Sequence, residues 1–514
     1  MLPQAEVLMT DIKKREEFME ISPDKGEDIE KWSRTSEPPT ADINVHIIDV
    51  KEEARCDIFS ASQCRSLSDS LSNRLVRRID LRLLPASMFI YLLCFIDRSN
   101  IGNAKILNSD TGDSLAQTLR ISDQQYLIAL MIFFVAYIVF ETPSNYMLKK
   151  FSPSRWLALL MLCWGVLTMA LGTVHNFAQL AAVRFLLGAF EAGLFPGLIY
   201  CLTFWYKPEE RALRVALISA TPTLGGAFGG AIAFGVGQLN HVRGLEAWRW
   251  LFIILGAPSV ACAIIVFFLF PDFPETSTWL SAGERELAIE RIRGVASLGH
   301  ARITWRETKE TLTDWRLYLH YLIFVSISVP FSSISLFAPT IVSGLGFEGL
   351  QAQLFTVPPY AIAFVVTIVV AWIADRYEMR SWAALTTLTI AGVSYIAQGA
   401  LPPESFKARY GLLCVAVPFS YASVPPLFSW LTANLRNTGA STLAVPLNVS
   451  IGSLGQIIGI FIFKSSEAPG YPTGLFTNAA FQIEGALFVL VLRAIYVRRN
   501  RQLASQTGVM KWRL

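Results

Sequence analysis

Along this chain apolar residues gather in blocks of about 20, the length a helix needs to cross a ~30 Å hydrocarbon layer. Charged residues or Pro/Gly breaks separate the blocks, giving spans near 83–105, 126–148, 155–174, 178–201, 213–236 and 249–270. After a polar stretch come 317–340, 353–374, 382–400, 410–431, 441–463 and 475–496. The pattern predicts an all-α polytopic membrane protein with 12 transmembrane helices. Residues 1–70 carry mixed charge and few large apolar side chains, so they cannot bury a core and are expected to form a disordered tail. No basic-then-apolar opening with a small-residue cleavage site is seen, so the first span is expected to stay as an anchor.

Lysine and arginine in the short loops set the expected orientation. Lys149, Lys150 and Arg155 fall in one loop, and Lys207, Arg211 and Arg214 in the next but one. Arg376 with Arg380, then Arg436, then Arg493 with "RRNR" continue the alternation. An even number of spans then leaves both termini cytoplasmic. The chain divides into a tail (1–70), six spans (71–270), a charged cytoplasmic linker (271–316), six more spans (317–497) and a second tail (498–514). "SNRLVRRIDLRLLP" puts Leu75, Ile79 and Leu83 on one stripe, which suits a short helix lying on an anionic leaflet.

Composition narrows the function classes. Of the 514 residues, 16% are charged, against roughly 25% in a soluble protein. The net charge of +4 is accounted for by juxtamembrane arginines, and no basic face with interleaved aromatics points to nucleic acid. The seven cysteines show no Cys/His spacing for a metal. There is no phosphate-binding loop and no nucleophile–base set, so neither an enzyme nor a cofactor is expected.

Charges inside the spans carry the candidate chemistry, because each costs on the order of 2.5–3.5 kcal/mol on insertion scales. In "RFLLGAFEAGLFPGLIY", Arg184 and Glu191 stand seven apart and share a helix face, with Gly188 between them. They form either a structural ion network or a site where Arg184 attracts an anion and Glu191 exchanges a proton. In "YLLCFIDRSNIGNAKI", Asp97 and Arg98 point about 100° apart, so one can pair with Arg184 while the other faces a cavity. The bland alternative ends that helix at Ile96. Glu141, just before Pro143, fits a gating or structural role. Tyr137, Asn434, Asn448 and Gln456 can hydrogen-bond a substrate or bridge helices. "GGAFGG" at 225–230 reads as close helix packing.

Six spans, a charged linker and six spans resemble the major facilitator superfamily, whose two six-helix halves rock around a midplane site. "AWIADRYEMRSW" matches its A-D-R-x-x-x-R signature, assigning Asp375 and Arg376 a gating or structural part. "LCFIDRSNIGNAKI", "RFLLGAFEAGLFPGLIYCLTFWYKPEER", "FPDFPETSTWLS" and "LFTVPPYAIAFVVTIVVAWIADR" resemble the anion:cation symporter family, and within it the fungal allantoate/nicotinate permease branch. The resemblance implies proton-coupled symport of a small organic anion by a monomer, with the plasma membrane as the usual address. It implies that Arg98 and Arg184 bind substrate, with Tyr137 lining the site. It further implies that Arg184 pairs with Asp97 and that Glu191 is a protonation site. "NLRNTGASTLAVPLN" departs from the branch, keeping only Arg436 of a basic stretch. An exporter of a secondary metabolite from a fungal biosynthetic cluster and a non-transporting nutrient sensor stand as alternatives.

Overall fold

The structure, a computed structural model, describes residues 61–292, 305–347, 349–435, 438–503 and 512–513. Arg436 and most of the expected N-terminal tail lie outside the described residues, as does 293–304 of the linker. The chain divides into two units, Met1–Ser72 and Asn73–Leu514, and the architecture below is that of the second.

Its main helices in chain order are α1 (Ala61–Ile106, belonging to this unit from Asn73 onward), α2 (Asp123–Lys150), α3 (Pro153–Leu171), α4 (Phe177–Glu191), α5 (Leu194–Thr203), α6 (Pro208–Gly237) and α7 (Ala247–Leu269). There follow α8 (Ala282–Ile292), α9 (Trp315–Gly344), α10 (Val357–Arg376), α11 (Arg380–Ala400), α12 (Phe406–Ala422), α13 (Val424–Ala433), α14 (Thr438–Phe461) and α15 (Pro472–Leu503). Among the described residues, eleven helical segments are long and apolar enough to cross a membrane. The expected span at 382–400 is α11, which is 21 residues long. Thr386, Thr387, Thr389, Ser394 and Gln398 make it more polar than the other eleven.

Two expected spans are each broken in the middle. The fourth ends α4 at Glu191, because Gly193 takes a left-handed φ of 79° that glycine adopts without steric cost. Pro196 then withholds the N–H that the Ala192 carbonyl would need. The tenth breaks between α12 and α13, where Pro425 and Pro426 leave the carbonyls of Tyr421 and Ala422 without donors four residues on. The two breaks sit six spans apart, and α5 and α13 are each 10 residues long.

Helix pairing repeats with the same six-span offset. The third and sixth spans pack together (α3 on α7), as do the ninth and twelfth (α11 on α15). The second packs on the fourth (α2 on α4), and the eighth on the tenth (α10 on α12). Between the halves, the fifth meets the eighth (α6 on α10) and the eleventh meets the second (α14 on α2). Small residues permit these approaches. A Cβ at Gly226 would lie 2.7 Å from the Tyr360 ring, and one at Gly165 would lie 2.9 Å from the Val260 backbone nitrogen. The "GGAFGG" run is therefore a packing surface between α6 and its neighbours.

The stripe Leu75, Ile79 and Leu83 departs from expectation. These residues are buried in the protein's own core, and they belong to α1 itself rather than to a separate helix on the leaflet. Their polar neighbours are held too. Asp80 pairs with Arg214 of α6 at 2.7 Å, and Arg78 pairs with Glu284 of α8 at 2.7 Å.

Candidate functional site

Four charged groups expected inside the membrane are all buried, and α1 and α4 position them. On α4 the buried face runs Leu180, Arg184, Leu187, Gly188, Glu191, so the seven-residue spacing places both charges on one side. Gly188 leaves room for α2, since a Cβ there would overlap the Phe133 carbonyl oxygen. The space is taken by a neighbouring helix.

Arg98 is the centre of the cluster. Its Nε donates to Oε2 of Glu191 at 3.0 Å, and its guanidinium lies 4.8 Å from the centre of the Tyr137 ring and 5.2 Å from that of Phe133. Among the described residues neither Nη group meets an acceptor, the side chain bonding through Nε alone. The same Glu191 oxygen accepts from the Cys94 thiol at 3.5 Å, while Oε1 has no partner. Glu191 is 0% exposed.

Asp97 turns the other way. Its Oδ2 accepts from Ser259 of α7 at 2.7 Å, and the indole of Trp164 on α3 also faces the carboxylate. The implied pair between Arg184 and Asp97 does not form. Arg184, 1% exposed, leaves Nε and Nη2 without acceptors and stands 5.8 Å from the Phe133 ring centre. The physical reason is rotational. Arg98 and Asp97 are adjacent on α1, so turning Arg98 to Glu191 carries Asp97 toward α7 and away from α4.

A cavity of about 50 Å³ opens beside Arg98, near mid-length of the helices. That volume holds water but no organic acid, since a dry cavity that admits benzene is roughly 150 Å³. Arg98 and Tyr137 line it together with Tyr91, Phe195 and Ser219 from the first half. Phe324, Ser328, Phe331, Phe428 and Gln456 face them from the second. Phe195 of α5 meets Phe428 of α13 edge to face at 5.2 Å, so the two half-helices close the cavity on one side. On the other, α1 touches α9, where a Cβ at Gly102 would overlap the Leu336 carbonyl oxygen.

Of the expected substrate-binding residues, Arg98 and Tyr137 reach the cavity, whereas Arg184 and Asn448 do not. Glu191 stands behind Arg98 rather than on the lining. Glu141 is buried, and its Oε2 accepts from Ser450 of α14 at 2.7 Å, a link between the halves. Asp375 pairs with Arg380 at 2.9 Å, while Arg376 is exposed at the end of α10. Asn434 is engaged with the backbone of Arg513. The aromatic lining from the second half escaped sequence reasoning, because a phenylalanine inside an apolar span incurs no cost that would single it out. A larger cleft of about 710 Å³ lies at the start of α9. Its Arg316 is neutralised by Asp314 at 2.7 Å. Among the described residues, no group of acids, histidines or cysteines could hold a metal.

Comparisons with known proteins agree with this fold. The family model described as Major Facilitator Superfamily matches residues 87–460. The chain is 52% identical over 445 residues to MFS transporter prlL from Fungal sp. (strain NRRL 50135), covering 86% of this chain and 90% of that protein. It is 32% identical to MFS-type transporter cnsO from Penicillium expansum, over 85% of each. Among solved structures, a bacterial homolog of the human lysosomal transporter Spinster superposes with a TM-score of 0.61 at 17% identity. That match covers 81% of this chain and 97% of the other, and at such identity it speaks for the fold alone.

Proposed function

This chain belongs to the major facilitator superfamily of transporters, and we propose that it carries a small organic anion across the membrane together with protons. The observation that carries this reading is the buried contact between Arg98 and Glu191 at the edge of the central cavity. Arg98 stays charged at any working pH, and its two unpartnered Nη groups form a fork suited to a carboxylate. Glu191 competes for the same guanidinium through Nε. A proton arriving on Glu191 removes the negative charge that holds Arg98, and Arg98 then needs the substrate's carboxylate instead. Release of the anion returns Arg98 to Glu191 and expels the proton. The anion and the proton are thereby bound in concert. Alternating access follows from parting Phe195 and Phe428 on one side and α1 and α9 on the other.

The resemblance to the anion:cation symporter family supports the same reading, as does a 29% identical protein of Agrobacterium vitis that carries tartrate transport in its name. In the same proposal Tyr137 fixes the Arg98 guanidinium from its ring face, and Glu141 steadies the contact between α2 and α14. The protein acts as a monomer in the plasma membrane with both termini cytoplasmic.

The test is uptake into proteoliposomes of labelled nicotinate, allantoate and tartrate under an imposed inward proton gradient. Uptake of one of them that collapses with a protonophore is expected. Uptake indifferent to the gradient, and unaltered in Glu191→Gln, would remove proton coupling from the account.

A further inference from the structure

We infer that the anion is an amphipathic monocarboxylate with an apolar, ring-sized body, and not a dibasic or polyhydroxylated acid. The inference rests on the anion reading above and names the class of substrate for that site.

The lining is sharply divided between the halves. Arg98 is its one charged group, supplied by the first half. Arg184, the only other arginine of the buried cluster, lies off the lining behind Phe133. A second carboxylate in the substrate would therefore meet no cation. The second half offers three phenylalanines, Phe324, Phe331 and Phe428, with Ile327, Val424 and Val449 around them. Ser328 and Gln456 are its only polar members.

Hydrogen-bonding capacity is as sparse as charge. Among the described residues, Ser219 has a buried hydroxyl without a partner, and the side chains of Ser328 and Gln456 make no hydrogen bond, the Gln456 backbone oxygen alone accepting from Ser332. These three points and Arg98 exhaust the lining's polar side chains apart from the phenols of Tyr91 and Tyr137. A sugar acid would bring a donor and an acceptor at every hydroxyl and leave most of them unmet against phenylalanine rings. An apolar pocket rejects a single added hydroxyl by only about a hundredfold, but each hydroxyl buried without a partner adds its own desolvation cost, so several of them outweigh the apolar contacts a sugar acid could make. An acid with an apolar body needs just the Arg98 fork and one or two hydrogen bonds. The rings that close the cavity now, Phe195 on Phe428 at 5.2 Å and Phe324 on Phe428 at 5.0 Å, become free faces when the half-helices part. A flat or ring-shaped body stacks on such faces.

If the rings were only a gate, exchanging them would alter the rate of transport and leave the ranking of substrates alone. The experiment therefore reads ranking. Purified full-length protein in nanodiscs is heated with 2-naphthoate, cyclohexanecarboxylate, D-gluconate, L-tartrate or the neutral 2-naphthamide. The two apolar acids should protect at concentrations about tenfold or more below gluconate and tartrate, and the amide should not protect. Phe331→Leu and Phe428→Leu should narrow that gap, and Arg98→Gln should abolish protection by every acid. Equal or better protection by gluconate or tartrate, still dependent on Arg98, would overturn the substrate class and leave anion transport standing. Protection by the amide equal to that of the acid would overturn the anion reading and this inference with it. So would the absence of protection by any acid.

Discussion

Arg98 and Glu191, 93 residues apart in the chain, meet at 3.0 Å with the carboxylate wholly shielded from solvent. Breaking a buried pair from one side leaves the other charge uncompensated, at a cost of about 3–5 kcal/mol. Arg98→Leu alone should therefore lower the thermal midpoint well below that of the wild type. Adding Glu191→Gln should restore much of it, because the stranded charge has gone. Thermal unfolding of the two single variants and the double variant measures this directly. Additive losses would mean that the two side chains stabilise the fold independently.

Transport separates the same pair differently. Glu191→Gln keeps the shape and one hydrogen-bond acceptor for Arg98 but cannot exchange a proton. Anion exchange across a proteoliposome membrane, which needs no net proton movement, should persist. Accumulation driven by a proton gradient should fall by about tenfold or more, the scale of a coupling free energy between two sites. Loss of exchange together with accumulation would make Glu191 structural.

How much of this site was legible follows from which signals a sequence carries. Buried charge is costly, so Asp97, Arg98, Arg184, Glu191 and Glu141 stand out in any apolar span, and all five are buried. Periodicity placed Arg184 and Glu191 on one face of α4 correctly. Pairing was not legible, because it depends on how α1 is rotated against α4 and α7. One position along α1 decides whether a side chain meets Glu191 or Ser259. The break after Glu191 was written in Gly193 and Pro196, and that before α13 in Pro425 and Pro426. The ring faces of Phe324 and Phe428 had no such mark, since phenylalanine is equally at home facing lipid. The same ambiguity applies to Leu75, Ile79 and Leu83, whose apolar stripe packs on protein where a leaflet was expected.

Two glycines should respond in opposite ways to the same added methyl group. Gly188 packs α4 on α2 within one half, and Gly102 packs α1 on α9 between the halves. Gly188→Ala forces apart helices that must stay together, so it should lower the thermal midpoint, as overpacking costs about 1–3 kcal/mol. Gly102→Ala can be accommodated by parting the halves on that side. It should leave the midpoint nearly unchanged and raise the alkylation rate of a cysteine placed at Leu336. A stable protein with unaltered alkylation would show that the α1–α9 contact does not govern access to the cavity.

The far end of the chain returns to the second half and ties its helices together. Trp512 stacks on Tyr496 of α15, with ring centres 5.1 Å apart and planes within 9°, and the Arg316 guanidinium of α9 lies 4.1 Å from the ring centre. Asn500 bonds both polar backbone groups of Trp512, each at 2.8 Å. Asn434 does the same for Arg513, at 2.9 and 3.1 Å. Trp430 of α13 donates to the Arg513 carbonyl at 3.0 Å, and Arg513 reaches Glu378 after α10 at 3.2 Å. These six partners all belong to the second six-helix half, so the contacts of Trp512 and Arg513 with them stiffen that half. Removing a large buried ring costs about 3–5 kcal/mol in a core, and less here, because a short docked segment can detach locally without unfolding the rest. Trp512→Ala should therefore speed hydrogen exchange at the ends of α13 and α15 and lower the midpoint by a few degrees. Asn500→Ala should add little to it, since both act through the same docked segment. Substrate affinity should not move, because no residue of the segment lines the cavity beside Arg98. A change in affinity with unchanged exchange would mean that the segment controls the cavity through α13, which carries Phe428.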